Sequence, residues 1–437
     1  MKNILFRVTK RRNRIVKAAF PVIGTRMHKP SSIYIPLLWA ILNVALSGQA
    51  TAFAASSRTA SALLRQLNHL TDARDAVLVA APDGHVLAGI NIDQALIPAS
   101  ILKLLTSLTA LESLGPDYRF RTDFFIDRNH DLKIKGYGDP LLVSEALKVM
   151  AVQLASRLSW VNDLVLDNSY FSQPIRIPGR GSSTEPYDAP NGALCVNFNT
   201  VAFQRVHGRW VSDEPQTPLL PCVIPKIEAS GLTRGRISMA GNSAEAQMYA
   251  GEMFRYFFDQ AGLKVRGTIR SGRVSPETDE LVWRYYSRHD LREVVADLLQ
   301  YSNNFIANQI LLVMGAKVYG PPATVDKGLK VLNQFYRKDL NIKTGRVVEA
   351  SGISRENHVT ARAMLTILER YKPFHTLMRR NGDQFYKTGH LKGIRTRAGF
   401  ISTASGKLYP FVVMVNTPGR STDAIMKIIE SFFRNHP

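Results

Sequence analysis

The chain has 437 residues, 45% of them apolar and 21% charged, with no low-complexity tract. This is ordinary globular composition, and no solenoid period runs through it, so a disordered chain or a repeat array is excluded. The formal charge of +21 falls to about +12 (21 − 9) once residues 1–29, with nine Lys and Arg and no acid, are set aside. Such a balance suits an anionic polymer such as a cell wall. Nucleic acid is disfavoured, because neither zinc-finger spacing nor aromatic-basic interleaving is present.

The basic stretch ending at Lys29, the apolar run Ile33–Gly48 and the small residues around Ala52-Phe53-Ala54 read as an export signal. At 16 residues the apolar run is shorter than the roughly 20 a membrane span needs. Residues 1–54 are therefore expected to be a signal peptide cleaved near Ala54, with Met27 a more usual starting point. The mature protein is expected in the periplasm.

After it, DAVLVAAPDGHVLAGIN (75–91) alternates around Pro82-Asp83-Gly84 and predicts a β-hairpin. IPASILKLLTSLTALESLG follows, with leucines and isoleucines on nearly every side. A helix of that kind is central and buried, and Gly115-Pro116 ends it. Residues 120–285 are richer in Gly, Pro and short β-like runs, with one clear amphipathic helix at 244–262. They read as an inserted α+β region of one or two small domains. Helical patterning returns at 290–315, and GIRTRAGFISTASGKLYPFVVMVNTPG reads as two strands around Ser405-Gly406, then a closing helix. The first hairpin and the last strands are the natural partners for one antiparallel sheet. On that reading 58–119 and 286–437 form one domain, and the fold is α+β.

Three short motifs carry chemistry. In Ser100-Ile101-Leu102-Lys103 the i and i+3 positions share a helix face. Lysine is rarely buried without a partner or a task, so Lys103 amid leucines is a candidate base for the Ser100 hydroxyl. The bland alternative is a capping serine and a lysine reaching out to solvent. Ser302-Asn303-Asn304 places small polar groups inside a helical pattern. It reads either as a turn lining a cleft, with Ser302 and Asn304 as functional groups, or as a plain polar turn.

Lys-Thr-Gly occurs twice, at Lys343 and at Lys387. The first sits between a helix and a loop, with Gly345 as a turn residue. The second runs into the predicted sheet, where an open strand edge can hold an extended peptide. Lys387 and Thr388 could then bind a carboxylate, and Gly389 would allow close approach. No histidine or cysteine spacing suggests a metal. Cys195 and Cys222 could form a disulfide in an exported protein or remain two buried thiols.

Taken in this order, the motifs resemble the site of penicillin-binding proteins and serine β-lactamases. Further stretches, among them LKIKGYGDPLL, YDAPNGALCVNFNTV, SGISRENHVT and KTGHLKGIRTRAGFI, resemble one group more narrowly. That group is the D-alanyl-D-alanine carboxypeptidase/endopeptidase family, the type-4, class C penicillin-binding proteins. The resemblance runs from about residue 60 to 420 and includes the long insertion, which β-lactamases lack. It implies a penicillin-binding transpeptidase-like domain, with an antiparallel sheet flanked by helices.

It also implies a serine peptidase acting on peptidoglycan stem peptides, without a cofactor, and covalently inhibited by β-lactams. Ser100 would be the nucleophile, Lys103 its proton acceptor, Ser302 and Asn304 the second element, and Lys387, Thr388 and Gly389 the third. The backbone N–H groups of Ser100 and His390 would form the oxyanion hole. Three departures stand out: Asn303 for Asp, His390 for Ser or Thr, and a short 357–387 segment. They leave room for a catalytically degenerate wall-binding scaffold at the cell envelope, and the site chemistry for a β-lactamase-like hydrolase.

Overall fold

The computed structural model describes residues 61–239 and 243–435; the expected export signal lies outside them. One six-stranded sheet is built from both ends of the chain. Its strands are β1 (Asp75–Ala80), β2 (Val86–Ile90), β3 (Arg379–Asn381), β4 (Gln384–Leu391), β5 (Ile394–Ser402) and β6 (Leu408–Val415). They lie in the order β3-β4-β5-β6-β1-β2, every neighbouring pair antiparallel. The first hairpin turns at Gly84, whose φ of +90° suits glycine. It pairs with the end of the chain through the register Asp75↔Val415 to Val79↔Phe411.

Alternation explains why β1 is buried throughout. Val77 and Val79 pack with Phe411, Val413 and the closing helix Asp423–Asn435, while Ala76, Leu78 and Ala80 face the helical layer. Successive side chains of a strand point to opposite faces, so a strand covered on both faces reads as a continuous apolar run.

The helical layer centres on α1 (Lys103–Ser113), entered through a 3-10 turn at Ala99–Leu102. Every residue of α1 from Lys103 to Leu111 is buried. Against it lie α2 (Leu291–Tyr301) and α3 (Asn304–Tyr319). A capping box of Asp290 and Glu293 starts α2, and the Asn303 side chain caps α3 by accepting from the Ile306 N–H (3.2 Å). Ser302, left-handed at φ 57°, turns the chain between the two.

The region from 120 to 285 has a hydrophobic core of its own. A five-stranded sheet orders Ile269–Ser271, Leu164–Asp167, Leu132–Gly136, Arg119–Ile126 and Glu280–Asp290; smaller sheets of three and two strands adjoin it. Besides the expected helix, seen at Ser243–Gln260, it holds Ser144–Ala155 and the short Ile224–Ala229. Asn191 ties it to α3, donating to the Phe305 carbonyl (3.0 Å) and to Gln309 Oε1 (2.9 Å). Among the described residues no helix is long and apolar enough to cross a membrane.

The disulfide expected as one alternative for Cys195 and Cys222 is absent: both are free thiols. Cys195 is buried in the core of the helical layer, and its sulfur accepts from Asn199 Nδ2 (3.0 Å). Cys222 is exposed in the turn Pro221–Val223. Burial pushes the Cys195 thiol up to about 12, so it stays protonated.

Candidate active site

Ser100 and Lys103 meet as their i, i+3 spacing requires: Lys103 Nζ donates to Ser100 Oγ at 3.0 Å. The same amine donates to Asn304 Oδ1 (2.7 Å) and to the Ser351 carbonyl (2.6 Å). It is wholly buried. Burial, then the positive charge of Lys387, holds its pKa well below the usual lysine range, with Glu349 opposing. In its neutral form the amine keeps two N–H groups for Asn304 and Ser351 and turns its lone pair to the Ser100 hydroxyl, whose proton it can accept.

The turn that carries Ser100 is held under strain. Ala99 has φ +47°, unusual for a residue with a Cβ. Two glycines abut this turn. A Cβ on Gly352 would lie 1.9 Å from the Ala99 carbonyl oxygen, and one on Gly389 would lie 2.7 Å from the Ser100 nitrogen. Thr396, paired with Gly389 across β4 and β5, anchors the turn by donating to the Pro98 carbonyl (2.7 Å). The third motif thus packs against the backbone N–H of the first.

Lys387 is buried, with its amine donating to the Thr388 carbonyl (2.7 Å), while the side chains of Thr388 and His390 are exposed. Burial, reinforced by Arg379, brings the Lys387 pKa down to about 8. The expectation that this strand forms the sheet edge needs correction. Beyond it lies β3, paired from Arg379↔Tyr386 to Asn381↔Gln384. Because β3 begins at Arg379, no strand among the described residues pairs with Lys387 to Leu391 on that side, which leaves the edge open there. The Lys343 copy is structural. Its Thr344 carbonyl accepts from Tyr336 and Arg337 (3.0 Å each), and Gly345 turns at φ +87°.

Ser302 forms no hydrogen bond with this cluster among the described residues. Among the described residues its hydroxyl has no hydrogen-bond partner, and it lines a cavity of about 600 Å3 with Asn303, Asn304, Tyr187 and Tyr301. Of the second motif, only Asn304 touches Lys103 directly.

Sequence reasoning missed the residues that hold Lys103 from the third side. Glu349 is fully buried, and its carboxylate accepts from Ser351 N, Ser351 Oγ, Gly352 N and Asn357 Nδ2, each at 2.6 Å. Ala350 is stapled on both sides, its carbonyl accepting from Thr106 (2.7 Å) and its N–H donating to Asn308 Oδ1 (3.1 Å). This loop aims the Ser351 carbonyl at Lys103. The available signal was the i, i+4 spacing of Asn304 and Asn308 on an otherwise apolar helix.

The sheet of both termini, with the Ser100 helix laid across it beside the second and third motifs, defines the penicillin-binding transpeptidase-like class of fold. The chain belongs to the D-Ala-D-Ala carboxypeptidase 3 (S13) family, which it matches over residues 57–221 and 233–384. It is 26% identical over 344 residues to a D-alanyl-D-alanine carboxypeptidase of Actinomadura sp. (strain R39), covering 67% of this chain and 63% of that protein. It is 23% identical to D-alanyl-D-alanine carboxypeptidase DacB of Haemophilus influenzae, over 76% of this chain and 82% of the relative. The crystal structure of penicillin binding protein 4 from H. influenzae superposes with a TM-score of 0.69 at 19% identity, over 86% of this chain and 98% of that one. The fold is shared. The family match stops at Gln384, three residues before Lys387.

One pH prediction follows. Acylation should rise with pH as Lys103 loses its proton, since only the neutral amine can accept one. It should fall again near pH 8 as Lys387 loses the charge that would hold an anionic substrate. Lys387→Arg keeps the charge, so the falling limb should move to higher pH. Acylation rates by a fluorescent penicillin between pH 5 and 10 would show it; an unmoved limb would remove Lys387 from substrate binding.

Proposed function

We propose that this chain is an exported serine-type D-Ala-D-Ala carboxypeptidase and DD-endopeptidase of peptidoglycan. The observation that carries the reading is the Lys103 amine, wholly buried yet bonded at once to Ser100 Oγ and Asn304 Oδ1. Desolvating a lysine is costly, and a scaffold without turnover has no use for one beside a serine.

In this reading a stem peptide lies along the open edge of β4, its carboxylate toward Lys387 and Thr388. Ser100 Oγ attacks the D-Ala carbonyl carbon while Lys103 Nζ takes the hydroxyl proton. The oxyanion forms between the N–H groups of Ser100 and His390. Fixed donors of that kind act where charge develops. The C–N bond then breaks, the leaving amine taking the proton that Lys103 had accepted, and water hydrolyses the ester to free Ser100. The same steps with a β-lactam open its ring and leave the acyl group on Ser100.

Mass spectrometry of muropeptides after incubation with the purified protein tests this. Release of D-Ala from a pentapeptide, or cleavage of a cross-linked dimer, is expected; their ratio separates carboxypeptidase from endopeptidase action. Neither product would leave a wall-binding scaffold. Rapid turnover of penicillin, in place of a stable adduct, would indicate a β-lactamase-like hydrolase.

A further inference from the structure

At the opposite end of α3 from Asn304, the Pro321-Pro322 connection forms one wall of a cavity of about 910 Å3; the remaining walls come from the inserted region. With 16 residues at about 1.5 Å each, α3 separates it from the Ser100 cluster by roughly 24 Å. Among the described residues three cations line it, Arg121, Lys135 and Arg273, and no carboxylate does, although Asp123 lies 3.9 Å from Arg121. Two of them are set in place. The Arg121 guanidinium lies 4.0 Å over the Tyr137 ring, which meets Tyr170 edge-on at 4.8 Å, and Lys135 bonds to the buried Asp167 (3.0 Å). Arg273 is exposed on the rim, without a hydrogen-bond or ion-pair partner among the described residues.

We propose that this cavity is an exosite for a carboxylate-bearing peptide of the wall polymer, a stem peptide other than the one being cut. The inference rests on the peptidoglycan reading above. Carboxylates pair with guanidinium and ammonium groups, and flat tyrosine faces cover the amide and aliphatic parts of a peptide. A neutral glycan would make no use of three cations. The distance also fits: about seven extended residues span 24 Å, within reach of two cross-linked stem peptides. Anchoring one strand there would raise the effective concentration of the cross-link at Ser100.

The test uses Ser100→Ala protein sedimented with purified peptidoglycan, so that nothing is digested. Arg273→Glu combined with Ser172→Glu, both exposed rim positions, should weaken binding to intact peptidoglycan about tenfold. Peptidoglycan stripped of its peptides by an amidase should bind the parent as poorly. With Ser100 intact, the same rim substitutions should leave turnover of a soluble pentapeptide unchanged, which also shows that they fold; Arg273→Glu alone serves if the pair does not. Equal binding of rim variant and parent, or equal binding of stripped and intact polymer, would overturn the exosite. Binding as expected, together with no release of D-Ala from soluble peptide by the protein with Ser100 intact, would instead overturn the enzyme reading.

Discussion

A Ser100→Ala variant will take up no fluorescent penicillin, and Lys103→Met will acylate at least about 1,000-fold more slowly than the parent. The first removes the one hydroxyl that, among the described residues, bonds to the buried amine. The second keeps a side chain of similar length but leaves nothing to accept the proton, and it strips a donor from both Asn304 Oδ1 and the Ser351 carbonyl. Gel fluorescence and stopped-flow acylation check the pair. Full labelling of Ser100→Ala would move the nucleophile elsewhere, and a Lys103→Met rate within tenfold of the parent would assign the proton transfer to another group.

Glu349→Ala will cost about 3 kcal/mol of stability and about 100-fold in acylation rate. The carboxylate accepts from the Gly352 N–H and from Ser351 and Asn357, so its loss strands buried donors. The loop would then no longer hold the Ser351 carbonyl against Lys103, nor Gly352 against the strained Ala99. A second readout separates this from general destabilisation. Glu349 holds the Lys103 pKa up, so removing its charge should shift the rising limb of the pH–rate profile to lower pH. Denaturant titration and the pH dependence of acylation measure both effects; parent-like values would deny the loop any part in positioning the amine.

Much of this was legible beforehand, for local reasons. A hairpin with its turn at Pro82-Asp83-Gly84 follows from alternation, and a lysine amid leucines is conspicuous because burying it is costly. The two Lys-Thr-Gly copies differ in what they lead into, a sheet and a loop, and Lys387 does lie on β4 while Gly345 lies in a turn. Even the Asn303 departure has a plain account: the position is a helix cap, a task that Asn and Asp perform equally well. His390 is different, because its exposed ring replaces a small hydroxyl on the open part of β4.

What stayed out of reach was every contact made across long stretches of chain. Lys103 meets Asn304 across 201 residues and the Ser351 carbonyl across 248. The short strand β3, which narrows the open edge to Lys387–Leu391, was equally invisible, and only the structure decided between the two readings of the cysteines, with Cys195 buried, Cys222 exposed and both free.

The sequence by itself determined which side chains can act, because a hydroxyl and an amine one helical turn apart must share a face whatever surrounds them. Only the tertiary structure decided how they are aimed. A buried amine takes its proton affinity and direction from the carbonyl, amide and carboxylate packed around it, and those arrive from elements that no local periodicity connects.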